Sequence, residues 1–155
     1  MTPLEPGHAA PAVSLPRDGG GTVSLTDYAG KPVVLYFYPK DDTSGCTLEA
    51  QSFTAEVEAF ASSGAVVLGV SKDSVQKHDS FRDKYDLGIA LLSDEAGDVC
   101  ERYGVWVEKS TYGKTYMGIE RATFLIDSAG KIARVWRKVK VEGHTEEVLA
   151  AVRAL

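Results

Sequence analysis

The sequence predicts an α/β sandwich built on a mixed β-sheet, and three observations carry that prediction. Residues 32–38 are a continuous run of β-branched and aromatic side chains, as found in strands buried on both faces. After a polar loop the apolar period changes. Ala50, Phe53, Val57, Phe60 and Ala61 fall on one face of a helix over 46–62, and residues 65–70 are strand-like again. Strand, helix and strand form a βαβ unit, whose crossover is right-handed and whose strands run parallel. Finally, the β-rich runs 122–126 and 132–141 flank Asp127-Ser128-Ala129-Gly130 as the arms of a hairpin flank their loop, which adds antiparallel strands.

Taken in order, the glycine cluster at 18–21 lies between two short strand-like pieces and reads as a hairpin turn. It lacks the Gly-Lys-Ser/Thr ending and the following helical pattern of a phosphate-binding loop. The strand at 32–38 is central, the loop 39–45 follows it, and Gly64 stops the helix that ends at 62. Beyond the strand at 65–70 come a helix over 74–85, a short strand at 89–92 and a helical turn at 98–103. The hairpin and a closing helix over 145–155 complete the chain. There is no internal repeat and no low-complexity stretch. A chain of 155 residues is expected to form one domain, 1–155, burying roughly 70% of its unfolded surface.

Composition excludes several classes of function. Hydrophobic residues at 44%, charged at 25% and aromatic at 9% argue against a disordered, collagenous or coiled-coil chain. Seventeen basic against 22 acidic side chains give a net charge of −5, so the field of the whole chain repels phosphate backbones and nucleic acid is not an expected partner. The longest apolar run, 33–38, is far short of the ~20 residues of a transmembrane helix, so no membrane partner is expected. Pro3, Pro6 and Pro11 interrupt an N-terminus that has no basic start, so no secretory signal is read and a cytoplasmic location is the expectation. Cys46 and Cys100 make neither a disulfide scaffold nor a metal-ligand spacing. His8, His78 and His144 are scattered and read as surface residues, so no metal and no organic cofactor is implied. Arg134, Arg137, Lys138 and Lys140 alternate in part with Val135, Val139 and Val141, as on a strand with one solvated face.

In open α/β sheets, ligands sit outside the carboxyl ends of the strands, where loops lead into helix N-termini. Cys46 falls there. The unpaired amides and the dipole of a first helical turn favour a thiolate, which is the nucleophilic form of cysteine. Position alone leaves two readings open, a reactive thiol or a buried inert one, because free cysteine is among the most buried residue types. The flanking loop is Pro39-Lys40-Asp41-Asp42-Thr43-Ser44-Gly45-Cys46, a Pro-x-x-x-Thr-x-x-Cys pattern. In it Pro39 fixes the loop exit, Thr43 offers a hydroxyl three residues before the sulfur, and Gly45 admits close approach of backbone to substrate.

This loop resembles the peroxidatic loop of the peroxiredoxins, and TSGCTLEA resembles the bacterioferritin comigratory protein branch, also called peroxiredoxin Q. VVLYFYPKDDTSGCTLEA, VVLGVSKDS, LLSDEAGDVCERYGVW and YGKTYMGIERATFLID, in that order, resemble successive segments of the branch and cover nearly the whole chain. The resemblance implies a thioredoxin-like fold, a central mixed sheet flanked by helices. It implies a thiol-dependent peroxidase acting on hydrogen peroxide and organic hydroperoxides, with Cys46 as the peroxidatic cysteine that becomes a sulfenic acid. By the same resemblance Thr43 hydrogen-bonds the peroxide and the sulfur, Arg121 sits beside the thiolate, Pro39 shields the pocket, and Glu49 orients Arg121. An Arg fork suits both a carboxylate and a diffuse oxyanion.

The chain also departs from the branch. Many members carry a resolving cysteine five residues after the peroxidatic one or on the following helix. Gln51 stands at the first place and Arg82 at about the second, while Ser44 replaces a usual proline. Cys100, on DVCERYG beside Val99 and Tyr103, reads as a core residue. A one-cysteine peroxidase is therefore expected, acting as a monomer and recycled by an external thiol: thioredoxin, glutaredoxin or a small thiol. From another class, Cys46 could serve a peroxide sensor or a redox-controlled holdase chaperone. A disulfide exchanger is disfavoured, since Leu48 and Glu49 stand where Cys-x-x-Cys needs its second cysteine.

Overall fold

Residues 4–155 are described by a computed structural model, in which β1 (Ser14–Pro16) and β2 (Thr22–Ser24) pair antiparallel across the turn read from the glycine cluster. Gly19, Gly20 and Gly21 all hold positive φ there, which only glycine adopts without strain. A short 3-10 turn, Leu25–Tyr28, leads to β3 (Val33–Phe37), every residue of which is buried. The expected helix over 46–62 is two helices, α1 (Ser44–Ala55) and α2 (Val57–Ser62), broken at Glu56, whose amide bonds back to the Phe53 carbonyl. Then follow β4 (Val66–Ser71), α3 (Val75–Tyr85), β5 (Ala90–Ser93) and the short α4 (Val99–Arg102).

A hairpin of β6 (Trp106–Thr111) and β7 (Lys114–Ile119) comes next, and the sequence reading missed it. Its side chains are mostly exposed, so no alternation of apolar and polar residues marks it. The only local signal is Tyr112-Gly113 at its tip, both with positive φ, the conformation that tight hairpin loops require. The chain closes with β8 (Ala122–Ile126), β9 (Ile132–Trp136) and α5 (His144–Arg153). The last strand is shorter than its β-rich run, because Lys138 takes a left-handed φ of 48° and the Val139 amide turns back to the Arg121 carbonyl.

The main sheet has five strands in the order β5-β4-β3-β8-β9, parallel through β5, β4 and β3 and antiparallel beyond. It is thus the mixed sheet flanked by helices that the sequence predicts. Alternation along the central strand separates two cores. Val33, Leu35 and Phe37 pack with Leu68, Leu92, Phe124, the α4 residues Val99 and Cys100, and Tyr103, which caps α4. Val34, Tyr36 and Tyr38 pack with Cys46, Ala50, Phe53, Phe60, Phe81 and Val148 from the helices of the other face. Tyr36 stacks on Phe53 at 4.7 Å, and its ring lies where a Cβ on Gly69 would come within 2.9 Å, so this strand position is restricted to glycine. Burying such side chains contributes about 1.5–3 kcal/mol each. The outcome is a buried central strand, β3, whose carboxyl end delivers residues 38–43 into α1.

Among the described residues no helix is long and apolar enough to cross a membrane. Two sequence expectations are corrected. His78 and His144 are not surface residues: they are 0% and 4% exposed. His78 shares the apolar face of α3 with Phe81 and Tyr85, a spacing that the sequence already carried.

Candidate active site

Thr43 is the N-cap of α1, and Cys46 is the third residue of the helix. The first i→i−4 bond runs from the Thr47 amide to the Thr43 carbonyl at 2.8 Å, so the amides of Ser44, Gly45 and Cys46 precede the helical ladder. They and the helix dipole surround the sulfur with partial positive charge. Cys46 is 2% exposed, and a cation is aimed at it. Arg121 Nη2 donates to Cys46 Sγ at 3.3 Å while Nη1 donates to Glu49 Oε1 at 2.6 Å. One guanidinium therefore joins the thiol to a carboxylate one helical turn along.

The fold fixes this fork from several directions. Arg121 lies between β7 and β8, with the Glu120 amide bonded to the Val105 carbonyl and the Val139 amide bonded to the Arg121 carbonyl. Gly45 makes room for it, since a Cβ there would sit 3.1 Å from Arg121 Nη2. The sequence reads Gly45 as room for substrate, whereas in the structure the group that approaches it is the arginine. Burial opposes the charge on Arg121, but Glu49 and Cys46 outweigh it and hold the guanidinium above its usual range. Glu49 is 1% exposed and its second oxygen, Oε2, has no partner among the described residues. Burial pushes its carboxyl up to about 7 against the opposing pull of Arg121.

Thr43 and Pro39 precede Cys46 in the loop and make no hydrogen bond to this pair. The Thr43 hydroxyl donates to the Lys40 carbonyl at 2.8 Å, so its proton is used within the loop and the oxygen remains an acceptor. Pro39 is half-buried at the exit of β3. Among the described residues no cluster of three His, Cys, Asp or Glu side chains could hold a metal ion.

The second thiol belongs elsewhere. Cys100 is wholly buried in the core on the opposite face of the sheet from Cys46. Burial, with Asp94 beside it, pushes its thiol far up. Gln51 is exposed on α1, and Arg82 is engaged by Asp18 at 3.1 Å, Asp79 at 3.4 Å and Asp83 at 3.0 Å.

His144 supports the site from behind. Its Nε2 lies 2.8 Å from the hydroxyl of Thr123, two residues beyond Arg121, and its ring meets Phe53 and Trp136 edge-on. Burial pulls its pKa down to about 4. A depressed histidine contributes stability that is present above the unfolded value of about 6.5 and is lost as the unfolded chain takes up a proton at lower pH. Stability is expected to fall by about 2–3 kcal/mol between roughly pH 6.5 and 4 from this group alone. Denaturant unfolding across that range checks it: His144→Phe should remove that part of the slope.

Comparison with known proteins gives a consistent picture. Residues 6–135 match the model of the AhpC/TSA family. The chain is 56% identical over 146 residues to a putative peroxiredoxin, bcp, of Coxiella burnetii, covering 94% of this chain and 97% of that one. It superposes on a PrxQ mutant of Xylella fastidiosa with a TM-score of 0.93 at 39% identity, covering 99% and 98% of the two chains. It superposes with a TM-score of 0.90 at 43% identity, over 97% and 98%, on the bacterioferritin comigratory protein of Xanthomonas campestris, whose structures were determined to explain its alkyl peroxide reduction activity.

Proposed function

The chain belongs to the AhpC/TSA family and is a peroxiredoxin, a thiol-dependent peroxidase, and from that premise we propose that it works with one essential cysteine, Cys46, through a sulfenic acid. The observation that carries this reading is the fork of Arg121 between Cys46 Sγ and Glu49. The Cys46 thiolate attacks the hydroxyl oxygen of a hydroperoxide: an S–O bond forms, the O–O bond breaks, and water or an alcohol leaves after the departing oxygen takes a proton from solvent. Arg121 donates to the sulfur and then to the oxygens on which charge develops, the arrangement of an oxyanion site. Glu49 holds the guanidinium in plane. Thr43, its own O–H donating to the Lys40 carbonyl, accepts a hydrogen bond from the hydroxyl of the peroxide, and Pro39 screens the site from water. Hydrogen peroxide and small organic hydroperoxides are the substrates, the latter in line with the Xanthomonas relative.

The sulfenic acid is reduced by an external thiol, thioredoxin, glutaredoxin or a small thiol, which releases water, forms a mixed disulfide and yields to a second thiol. The protein does this as a monomer in the cytoplasm. Intact-mass measurement after one equivalent of peroxide tests the reading. Gain of one oxygen at Cys46, removed by thioredoxin or a small thiol, is expected, with two oxygens under excess peroxide. Sustained peroxide consumption with reductant separates a peroxidase from a sensor or a holdase, which oxidise once and stop.

Cys100→Ser is expected to retain most turnover with an external thiol. The two sulfurs occupy cores on opposite faces of the sheet, and a disulfide needs Cα atoms about 4.4–6.8 Å apart, so pairing requires local unfolding. Recovery of a quantitative Cys46–Cys100 disulfide, together with an inactive Cys100→Ser variant, would overturn the one-cysteine reading.

A further inference from the structure

Behind the reactive loop lies a buried polar network that the chemistry of Cys46 leaves unused. Asp41, in the loop, accepts from the Tyr38 hydroxyl at 2.6 Å on Oδ1 and meets His78 Nδ1 at 2.6 Å on Oδ2. The other ring nitrogen of His78 lies 2.8 Å from the Leu92 carbonyl at the end of β5. The Asp41 amide donates to Asp73 Oδ2 at 2.8 Å, which also accepts from Ser71 Oγ at 2.7 Å. His78 is 0% and Asp41 8% exposed. A carbonyl oxygen only accepts, so Nε2 carries a proton, and the carboxylate at Nδ1 calls for a second. In its protonated form the ring donates on both sides and is clamped between a loop carboxylate and a strand carbonyl.

The next loop residue is gripped from the same helix. Asp42, in a left-handed conformation with φ 59°, accepts from Lys84 at 2.8 Å and from the Tyr85 hydroxyl at 2.6 Å. Helix α3 thus holds two successive residues immediately before Thr43. A buried ion pair is a costly way to fill a core, and its best-attested use is to specify one arrangement over others.

We propose that His78 is a positioning residue for peroxide reduction: from α3 it clamps Asp41 and so holds residues 39–43 on the course that presents Thr43 and Cys46 to the peroxide. Its kinetic consequence rests on the peroxidase reading above; its structural consequence does not. Burial works against the charge on His78, but the hydrogen bond and charge of Asp41, with the Leu92 carbonyl and Asp73, hold it above the usual histidine range. The clamp is therefore fully present below about pH 6.5 and is lost as pH rises through the raised value. Burial holds the Tyr38 hydroxyl neutral, and Asp42 keeps Lys84 charged.

Amide hydrogen exchange, corrected for intrinsic rate, tests this in the wild-type protein from about pH 6 to 10, with the Asp41 amide as the direct reporter. Protection of residues 40–47 is expected to fall about tenfold or more as pH rises, while amides of β3 and β8 stay protected. His78→Leu should show the weak loop protection at every pH and lose about tenfold in kcat/KM for peroxide. His78→Gln, which keeps an N–H donor but does not titrate, should restore part of both and remove the pH dependence of exchange. Flat exchange in the wild type would overturn the proposal, and so would equal loss of protection in β3 and β8. Because exchange needs no turnover, a wild-type protein that consumes no peroxide would sink the peroxidase reading and still leave His78 decided.

Discussion

Cys46→Ser is expected to abolish peroxide consumption while leaving the fold intact. Serine is nearly the size of cysteine, and Cys46 packs against Ala50 and the Tyr36 side of the core without carrying it, so far-UV and near-UV dichroism should be unchanged. Chemistry is what disappears. A hydroxyl beside Arg121 remains a neutral alcohol at neutral pH, whereas a thiol there becomes the soft, polarisable anion that displaces oxygen from oxygen. Electrons for reduction must also come from the atom that forms the S–O bond, and Cys100 cannot substitute from the far side of the sheet with its thiol held protonated by burial and Asp94. The loss should therefore reach the uncatalysed rate, measured as peroxide remaining with reductant in excess. Substantial residual turnover would remove Cys46 from the mechanism.

Those two cysteines also show how far the sequence speaks and where it stops. The period change after residue 38 places Cys46 at a helix start, and the all-apolar run at 33–37 makes its strand central; both are local patterns, and both hold in the structure. Which cation meets the sulfur is a long-range fact. Arg121 is 75 residues away, and nothing in its neighbourhood separates it from a solvated arginine at a strand entry, so only the resemblance to a family pointed to it. The β6–β7 hairpin was missed for the opposite reason, since a two-stranded ribbon with solvent on most sides needs no apolar alternation. An isolated histidine reads as exposed, yet the place of His78 on the Phe81 and Tyr85 face of α3 is legible in the spacing. What no spacing reveals is that its two nitrogens find Asp41 and Leu92, partners 37 positions before it and 14 after it.

Arg121→Met is expected to slow the reaction with peroxide by a factor of about 10² to 10³, the scale for removal of one oxyanion donor. Methionine keeps much of the apolar stem and removes only the guanidinium, so the contact at 3.3 Å to Cys46 Sγ and the bond to Glu49 are lost together. The thiolate loses its charge-assisted partner, and the departing oxygen loses its donor. A side effect must be separated from this loss. Removing one partner of a buried ion pair leaves the other uncompensated, which costs about 3–5 kcal/mol unless the survivor takes a proton. Glu49, already pushed up to about 7 by burial, is positioned to do so, and the variant should therefore become less stable above neutral pH. Pairing the change with Glu49→Gln removes the stranded charge. The double variant should regain stability at pH 8 in denaturant unfolding and remain as slow as Arg121→Met in single-turnover oxidation of Cys46. Unchanged oxidation kinetics in Arg121→Met would show that the guanidinium takes no part in the chemistry. Recovery of rate along with stability in the double variant would show that it acts only by neutralising Glu49.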